Sequence, residues 1–458
     1  MRLVDGGVGA KPHGRGNGLR ADSVPAPRAV VDKSCSNIRE KQMQKILFYC
    51  QNLLGMGHLV RTTELIRALV REFKVCLIDG GQLVEGFELP PEVEVVHLPA
   101  LQVEVSDALQ VGKQLKVVGS SMSLEEVKQF RIQTILDTFD QFQPDCVITE
   151  GYPFSKNKIL SFEMVPFLLR VRQAGRPIQV ICSLRDIIMV KEFDDRDAEE
   201  QRRCEFVNQF YDALLVHSDP KIHRLEDNIS QVHELTCPIY YTGYVVQSEP
   251  EHLQMSPEDV ASLSDPKPMI VVSVGGGKLG HDLLECMIES APILSQYLPH
   301  QIYMFAGPLM ADEKYRDLQQ RVSNKDNITL RQYTPHLLAY LQKADLSISL
   351  GGYNTTMNIL KTGVRAMIYP SNKDQEQSIR AEKLASLRLL EILHPQELQP
   401  NLLAEKILAY LQKLIDKSIA QTLELHGAQK TVEILKQVVE FQKPVANANV
   451  PNLEVGVV

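Results

Sequence analysis

The sequence predicts an α/β protein built from two open parallel-sheet domains that face each other across a cleft. Three observations lead there. From Lys45 onward, short apolar runs alternate with longer amphipathic stretches. The short runs are nearly continuous in their apolar character, which is how strands covered by helices on both faces read. A polar segment at 247–267, with three Pro and many acids, interrupts the alternation, and a second series follows it.

In the first series, strands are predicted at 46–50, 74–78, 93–98, 145–149, 178–183, 213–216 and 239–242. Between them the 3.6-residue spacing of apolar side chains predicts helices at 59–71, 123–139, 159–173 (kinked at Pro166) and 193–211. The second series predicts strands at 269–274, 302–306, 328–331, 346–350 and 366–369. Its helices fall at 281–294, 337–343, 354–361, 401–416 and 428–441. The organisation expected is therefore a first domain at 44–246, a linker at 247–267, a second domain at 268–442 and a tail at 443–458. Residues 1–43 read as a disordered arm, or as a segment preceding an alternative start at Met43. The part before Met43 has no periodicity and carries eight Lys/Arg against four Asp/Glu, too little apolar surface to fold alone.

Composition narrows the function. A net charge of -8 argues against a general nucleic-acid binder. Trp is absent, so no carbohydrate platform of indoles exists. No apolar run approaches the roughly 18–20 residues of a membrane span. The 8 Cys include no C-x-x-C pair, and four of them lie in strand-like runs, as buried thiols of a reducing compartment do. A cytoplasmic enzyme is the expectation.

In open parallel sheets, ligands bind at the carboxyl ends of strands, so each loop that follows a strand is a candidate. Gly275-Gly276-Gly277-Lys278-Leu279-Gly280 lies between a strand and a helix, where bare N–H groups and a helix dipole favour a phosphate and Lys278 adds a cation. Gly351-Gly352-Tyr353-Asn354-Thr355-Thr356 repeats that placement. A third polar loop, 369–377, offers amides suited to sugar hydroxyls. The next strand ends in Phe305-Ala306-Gly307 with no acid for a ribose diol, which disfavours a nicotinamide oxidoreductase. In the first domain, His58 sits at a helix entrance, where neutral imidazole can take a proton near pH 7. Glu150 follows another strand and is a rival base. Arg185 and Asp186 follow a third, where they contact an acceptor or pair with each other. His217, Ser218 and Asp219 lack the G-x-S-x-G elbow of a hydrolase. Asp194-Asp195-Arg196-Asp197 contains a D-x-D, but its charged helical surroundings read as a solvated face, and no metal site is expected.

The run 348–356, Gly363, 366–370 and 373–377 resembles the donor-binding half of glycosyltransferase family 28, and the likeness extends to the glycine loop, to Thr242-Gly243-Tyr244-Val245 and to Gly57-His58. The chain looks like a bacterial branch of predicted glycosyltransferases. The resemblance implies the GT-B fold of two Rossmann-like domains, with a nucleotide sugar, usually a UDP-sugar, on the second and the acceptor on the first. The donor set it implies is Gly275, Gly276, Gly277, Lys278, Tyr333, Gly351, Gly352, Asn354, Thr355, Thr356, Asn358, Gln375 and Gln377. Asn358 stands where the family has an acid gripping the ribose, and of the family's Gln pair only Gln377 carries over.

The activity expected is hexosyl transfer by metal-independent inverting displacement. His58 or Glu150 would act as base, and amides of Gly276, Gly277 and the 354–356 turn would hold the leaving diphosphate. No cofactor is expected beyond the nucleotide-sugar co-substrate, and the acceptor would be a small molecule or a lipid-linked one. A nucleotide-sugar 2-epimerase of the same fold and a non-catalytic nucleotide-sugar-binding subunit are the alternatives. Phe162, Val165, Phe167, Leu168 and Leu169 beside Arg170, Arg172 and Arg176 give a helix that covers the sheet or touches an anionic membrane surface peripherally.

Overall fold

The computed structural model describes residues 43–51, 57–81, 87–104, 114–154, 158–188, 195–249, 253–371, 375–414 and 420–440. The predicted arm, the tail, the entrance residues 52–56 and loop residues 372–374 lie outside the described residues. The described residues form one compact unit.

The first lobe contains β1 (Lys45–Cys50), α1 (Gly57–Leu69), β2 (Lys74–Asp79), β3 (Glu94–His97), β4 (Leu101–Glu104), β5 (Gln114–Val117), α2 (Leu124–Phe142), β6 (Cys146–Glu150), α3 (Ser161–Arg172), β7 (Gln179–Leu184), α4 (Arg196–Phe210), β8 (Ala213–Val216) and β9 (Ile239–Tyr241). Seven strands form a parallel sheet in the order β3-β2-β1-β6-β7-β8-β9. β4 and β5 form a small antiparallel pair that the sequence reading did not anticipate. Alternate residues of each strand feed opposite cores, because strand side chains alternate in direction. Leu47, Tyr49, Val147 and Val180 enter the core made with α2, α3 and α4. Ile46, Phe48, Ile148 and Leu215 enter the core on the α1 side.

The second lobe contains α5 (Pro257–Ser264), β10 (Met269–Ser273), α6 (His281–Leu294), β11 (Gln301–Phe305), α7 (Asp312–Val322), β12 (Ile328–Arg331), α8 (Leu337–Lys343), β13 (Leu346–Leu350), α9 (Tyr353–Thr362), β14 (Ala366–Tyr369), α10 (Gln375–Ser386), β15 (Glu391–Ile392), α11 (Pro400–Gln412) and α12 (Gly427–Glu440). Its six-stranded parallel sheet runs β12-β11-β10-β13-β14-β15.

Four details differ from the sequence reading. The linker is partly structured: Ser256 caps α5, and Asp259 of that helix accepts from the Tyr340 hydroxyl at 2.7 Å, which fixes it to the second lobe. α7 went unpredicted because its mostly charged turns bury only Leu318. The supposed polar loop 369–377 gives way to α10 at Gln375. The last helix does not belong to the second lobe's core: Ala428, Ile434, Leu435 and Val439 of α12 join Ile46, Phe48 and Leu65 of the first lobe. Its route back lies against the outgoing connection, with Tyr244 N–H donating to Glu424 O at 2.7 Å and Gly427 N–H to Tyr244 O at 2.9 Å.

α3 covers the sheet. Phe167 and Leu168 are buried, while Phe162, Val165 and Leu169 pack partly buried against the same core. Among the described residues, no helix is long and apolar enough to cross a membrane. Asp195 caps α4 by accepting from Ala198 N–H at 3.0 Å, a helix-end role for that part of the D-x-D.

Candidate active site

Strand order reverses between β1 and β6 in one sheet and between β10 and β13 in the other. At such switch points the loops leaving adjacent strands diverge and open a crevice at their carboxyl ends. His58 follows β1, Glu150 ends β6, the glycine loop follows β10, and Gly351–Asn354 follows β13. Residues from all four places border one cavity of about 450 Å³.

On the first-lobe wall, His58 lies in the first turn of α1, with Nδ1 2.9 Å from Oε1 of Glu150. Glu150 is almost wholly buried and also takes an N–H of Arg61, one turn further along α1. The Cys50 thiol donates to its other oxygen at 3.5 Å. Burial alone would raise the Glu150 pKa, but His58, Arg61 and Arg185 together hold it well below the ordinary carboxylate range. Burial lowers the His58 pKa, Arg185 lowers it further, and Glu150 opposes both. The pair is therefore a fixed carboxylate beside a neutral imidazole. Val60, Phe154, Ile187 and Ile188 make this wall largely apolar.

The second-lobe wall is mostly backbone. Gly277 has φ +91, and a Cβ there would lie 2.5 Å from Ala306 O, so only glycine fits. Its N–H donates to Val274 O at 3.3 Å and closes the turn. Gly276 has room: a Cβ there would first meet Leu309 at 3.8 Å. α9 begins at Gly352 without a side-chain cap, so its first-turn N–H groups are not satisfied by a capping side chain. Burial lowers the Lys278 pKa. Leu279, Pro308, Leu309, Tyr333, Leu337 and Leu338 border an apolar side of the cavity.

The two walls touch. Asn354 Nδ2 donates to Gly57 O at 3.0 Å. The Tyr353 hydroxyl donates to His217 O at 3.1 Å and accepts from Val245 N–H at 3.0 Å. Arg380 of α10 makes a buried two-pronged pair with Asp186 at 2.6 and 2.7 Å.

Residues 269–437 match the glycosyltransferase family 28 C-terminal domain. The chain thus carries a region similar to that family's C-terminal domain. It is 24% identical over 217 residues to an uncharacterized glycosyltransferase of Methanopyrus kandleri, an alignment covering 46% of this chain and 57% of that relative, little more than half its length. An uncharacterized glycosyltransferase of Methanosarcina mazei is 20% identical over 357 residues, covering 74% of this chain and 82% of the relative. Among solved structures, the spinosyn forosaminyltransferase SpnP aligns with a TM-score of 0.57 at 14% identity, covering 87% of this chain and 100% of its own. MurG of Acinetobacter baumannii aligns with a TM-score of 0.51 at 13% identity, covering 86% and 99%. The fold is GT-B.

Of the residues expected from sequence, the fold brings His58, Glu150, Gly275, Gly276, Gly277, Lys278, Tyr333, Gly352, Asn354, Thr355 and Gln377 to the cavity. Four do not border it. Gly351 lies behind, its carbonyl accepting from Arg380 at 2.9 Å. Thr356 is buried in the helix body, and Gln375 is exposed at the start of α10. Asn358 is buried and bonded to the linker, accepting from Gln247 N–H at 3.3 Å and donating to the Gln247 side chain. One turn past Asn354, it faces the crossing chain instead of a ribose.

Arg185 and Asp186 do not pair with each other. Each reaches across the cleft, Arg185 to Glu376 at 3.2 Å and Asp186 to Arg380. Sequence reasoning missed Arg61, Ser273 and Glu376. Arg61 had a signal, since its i+3 spacing from His58 puts both on one helix face. Ser273 had none; its buried hydroxyl, at the end of β10 on the cavity border, has no hydrogen-bond partner. Away from the cavity, His281, Glu285 and Asp317 bring potential ligand atoms within 4.8 Å of one another. Arg321 already pairs with both acids there.

Proposed function

We propose that this protein is a glycosyltransferase that moves a hexosyl group from a nucleoside-diphosphate sugar, a UDP-sugar by preference, to an acceptor hydroxyl with inversion at the anomeric carbon. The observation that carries this is His58 Nδ1 at 2.9 Å from Glu150 Oε1, on the wall of the cavity whose other wall is the glycine loop and the uncapped start of α9. Glu150 is then an orienting carboxylate and His58 the base. A carboxylate held so far below its ordinary pKa is a poor proton acceptor, whereas a neutral imidazole suits the task.

In the displacement, the acceptor oxygen bonds to the anomeric carbon as the bond from that carbon to the diphosphate oxygen breaks. The acceptor proton passes to His58 Nε2, and the nucleoside diphosphate leaves with the electron pair. Amides at Gly276 and the first turn of α9, with Lys278, are fixed before charge develops, so stabilising the leaving group requires little reorganisation. This scheme requires no metal. The apolar wall of Val60, Phe154, Ile187 and Ile188 suits an acceptor with an apolar body, whether a free small molecule or a lipid.

Calorimetry with UDP, paired with a transfer assay over an acceptor panel and NMR of the product anomer, tests the proposal. His58→Ala should keep its affinity for UDP while transfer falls about 10²–10⁴-fold. Unchanged transfer would remove His58 from the chemistry. Conversion of UDP-N-acetylglucosamine without acceptor would point to an epimerase, and UDP binding without any turnover to a binding subunit.

A further inference from the structure

The Nε2 of His58, the atom the transfer reaction needs for the acceptor's proton, is occupied by an N–H of Arg185. A guanidinium has only donors and keeps its proton, so it cannot share that lone pair with an incoming hydroxyl. Arg185 comes from the loop after β7, and its other end lies 3.2 and 3.5 Å from the two oxygens of Glu376 on α10. Glu376 also accepts from Arg380 at 2.6 Å, but Arg380 has its own two-pronged partner in Asp186. A carboxylate of the opposite lobe is thus already in contact with the Arg185 guanidinium.

We infer that Arg185 is a positioning residue that caps the proton-accepting nitrogen of His58 and uncovers it when the guanidinium passes to Glu376. This rests on His58 being the base, and it adds a control on when that base is available. Water competes poorly for a nitrogen already bonded to a cation, so the arrangement protects the donor from hydrolysis. An acceptor hydroxyl seated against Val60, Phe154, Ile187 and Ile188 has binding energy with which to displace the guanidinium. The charged groups facing His58 are Glu150 from β6, Arg61 from its own helix and Arg185; those facing Arg185 are Glu376 and Arg380 from α10, with Glu150 and Asp186.

The test is the titration of His58, followed by NMR of the imidazole in the full chain without substrate, so it stands apart from any failure to find transfer. Arg185→Met should raise the His58 pKa by about one pH unit or more, the scale expected when a cation leaves contact with a titrating group. It should also move the Nε2 resonance from a hydrogen-bonded to a free position. Arg185→Lys should restore part of both changes. Glu376→Gln should leave Nε2 capped, with the pKa at or below that of the unmodified protein. Thermal melting of each variant confirms that the fold is kept. A folded Arg185→Met protein whose His58 titration and Nε2 resonance match the unmodified protein would overturn the inference. So would a Glu376→Gln protein in which Nε2 becomes free.

Discussion

At the residue scale, the site depends on one carboxylate serving several neighbours. Glu150, buried with Arg61 and Cys50, holds Arg61 and the partly exposed His58 while accepting from Cys50. Breaking a buried pair by removing one partner leaves the other charge stranded, at about 3–5 kcal/mol. Glu150→Gln should therefore lower the melting temperature as well as the transfer rate, which calorimetric scanning and a kinetic assay would separate. The pH profile follows from His58. Its pKa is lowered, and the base role proposed for it needs the neutral form, so transfer should stay level through pH 7 and fall only below the ordinary imidazole value of about 6.5. A rate that instead fell on the alkaline side, near neutrality, would show that a protonated group is needed. The places of His58 and Glu150 at the cavity were legible because both follow strands. Their mutual arrangement was not, since Arg61 and Arg185 converge on it from different elements.

At the element scale, the glycine loop separates two demands that sequence alone merges. Gly277 is required by the backbone, with its positive φ and its contact with Ala306 O. Gly276 lies at the cavity with space in front of it. Gly277→Ala should then destabilise the whole second lobe, whereas Gly276→Val should fold and melt almost normally but lose the thermal shift that UDP gives. Equal melting losses in both would mean that the loop only shapes the turn. Strands and most helices could be read from apolar period, because the buried faces write that period directly. α10 could not: its start is polar, and Glu376 and Arg380 are buried by pairing across the cleft instead of by apolar packing. Asn358 shows the opposite error, in which a motif position was legible but its direction depended on where the crossing chain runs.

At the scale of the whole molecule, the lobes meet through polar contacts near the cavity and again where Lys383 reaches Ile222 O, His223 and Asp227. Tyr353 is the most central, its hydroxyl tied to His217 O and Val245 N–H and its ring between Arg61 and Arg380 at 5.8 and 5.5 Å. Tyr353→Phe deletes both hydrogen bonds while keeping the ring. It should cost about 1–3 kcal/mol and increase the radius of gyration of the ligand-free protein in solution scattering. An unchanged radius would show that the other contacts across the cleft hold the lobes together without the Tyr353 hydroxyl. The two-lobe organisation was legible in the break at 247–267, but the return of α12 to the first lobe was not. An amphipathic helix announces that it needs a partner surface, and nothing in its own sequence names which one.

That return gives the lobes two covalent tethers that run side by side, bonded where Tyr244 meets Glu424 and Gly427. A single tether would leave one lobe free to swivel. A doubled one resists twisting and permits chiefly a swing about the line that joins them, as a door moves on its jamb. Any opening that admits donor and acceptor should therefore be a one-axis gape, and the opposing rims should come back into the same register each time they shut.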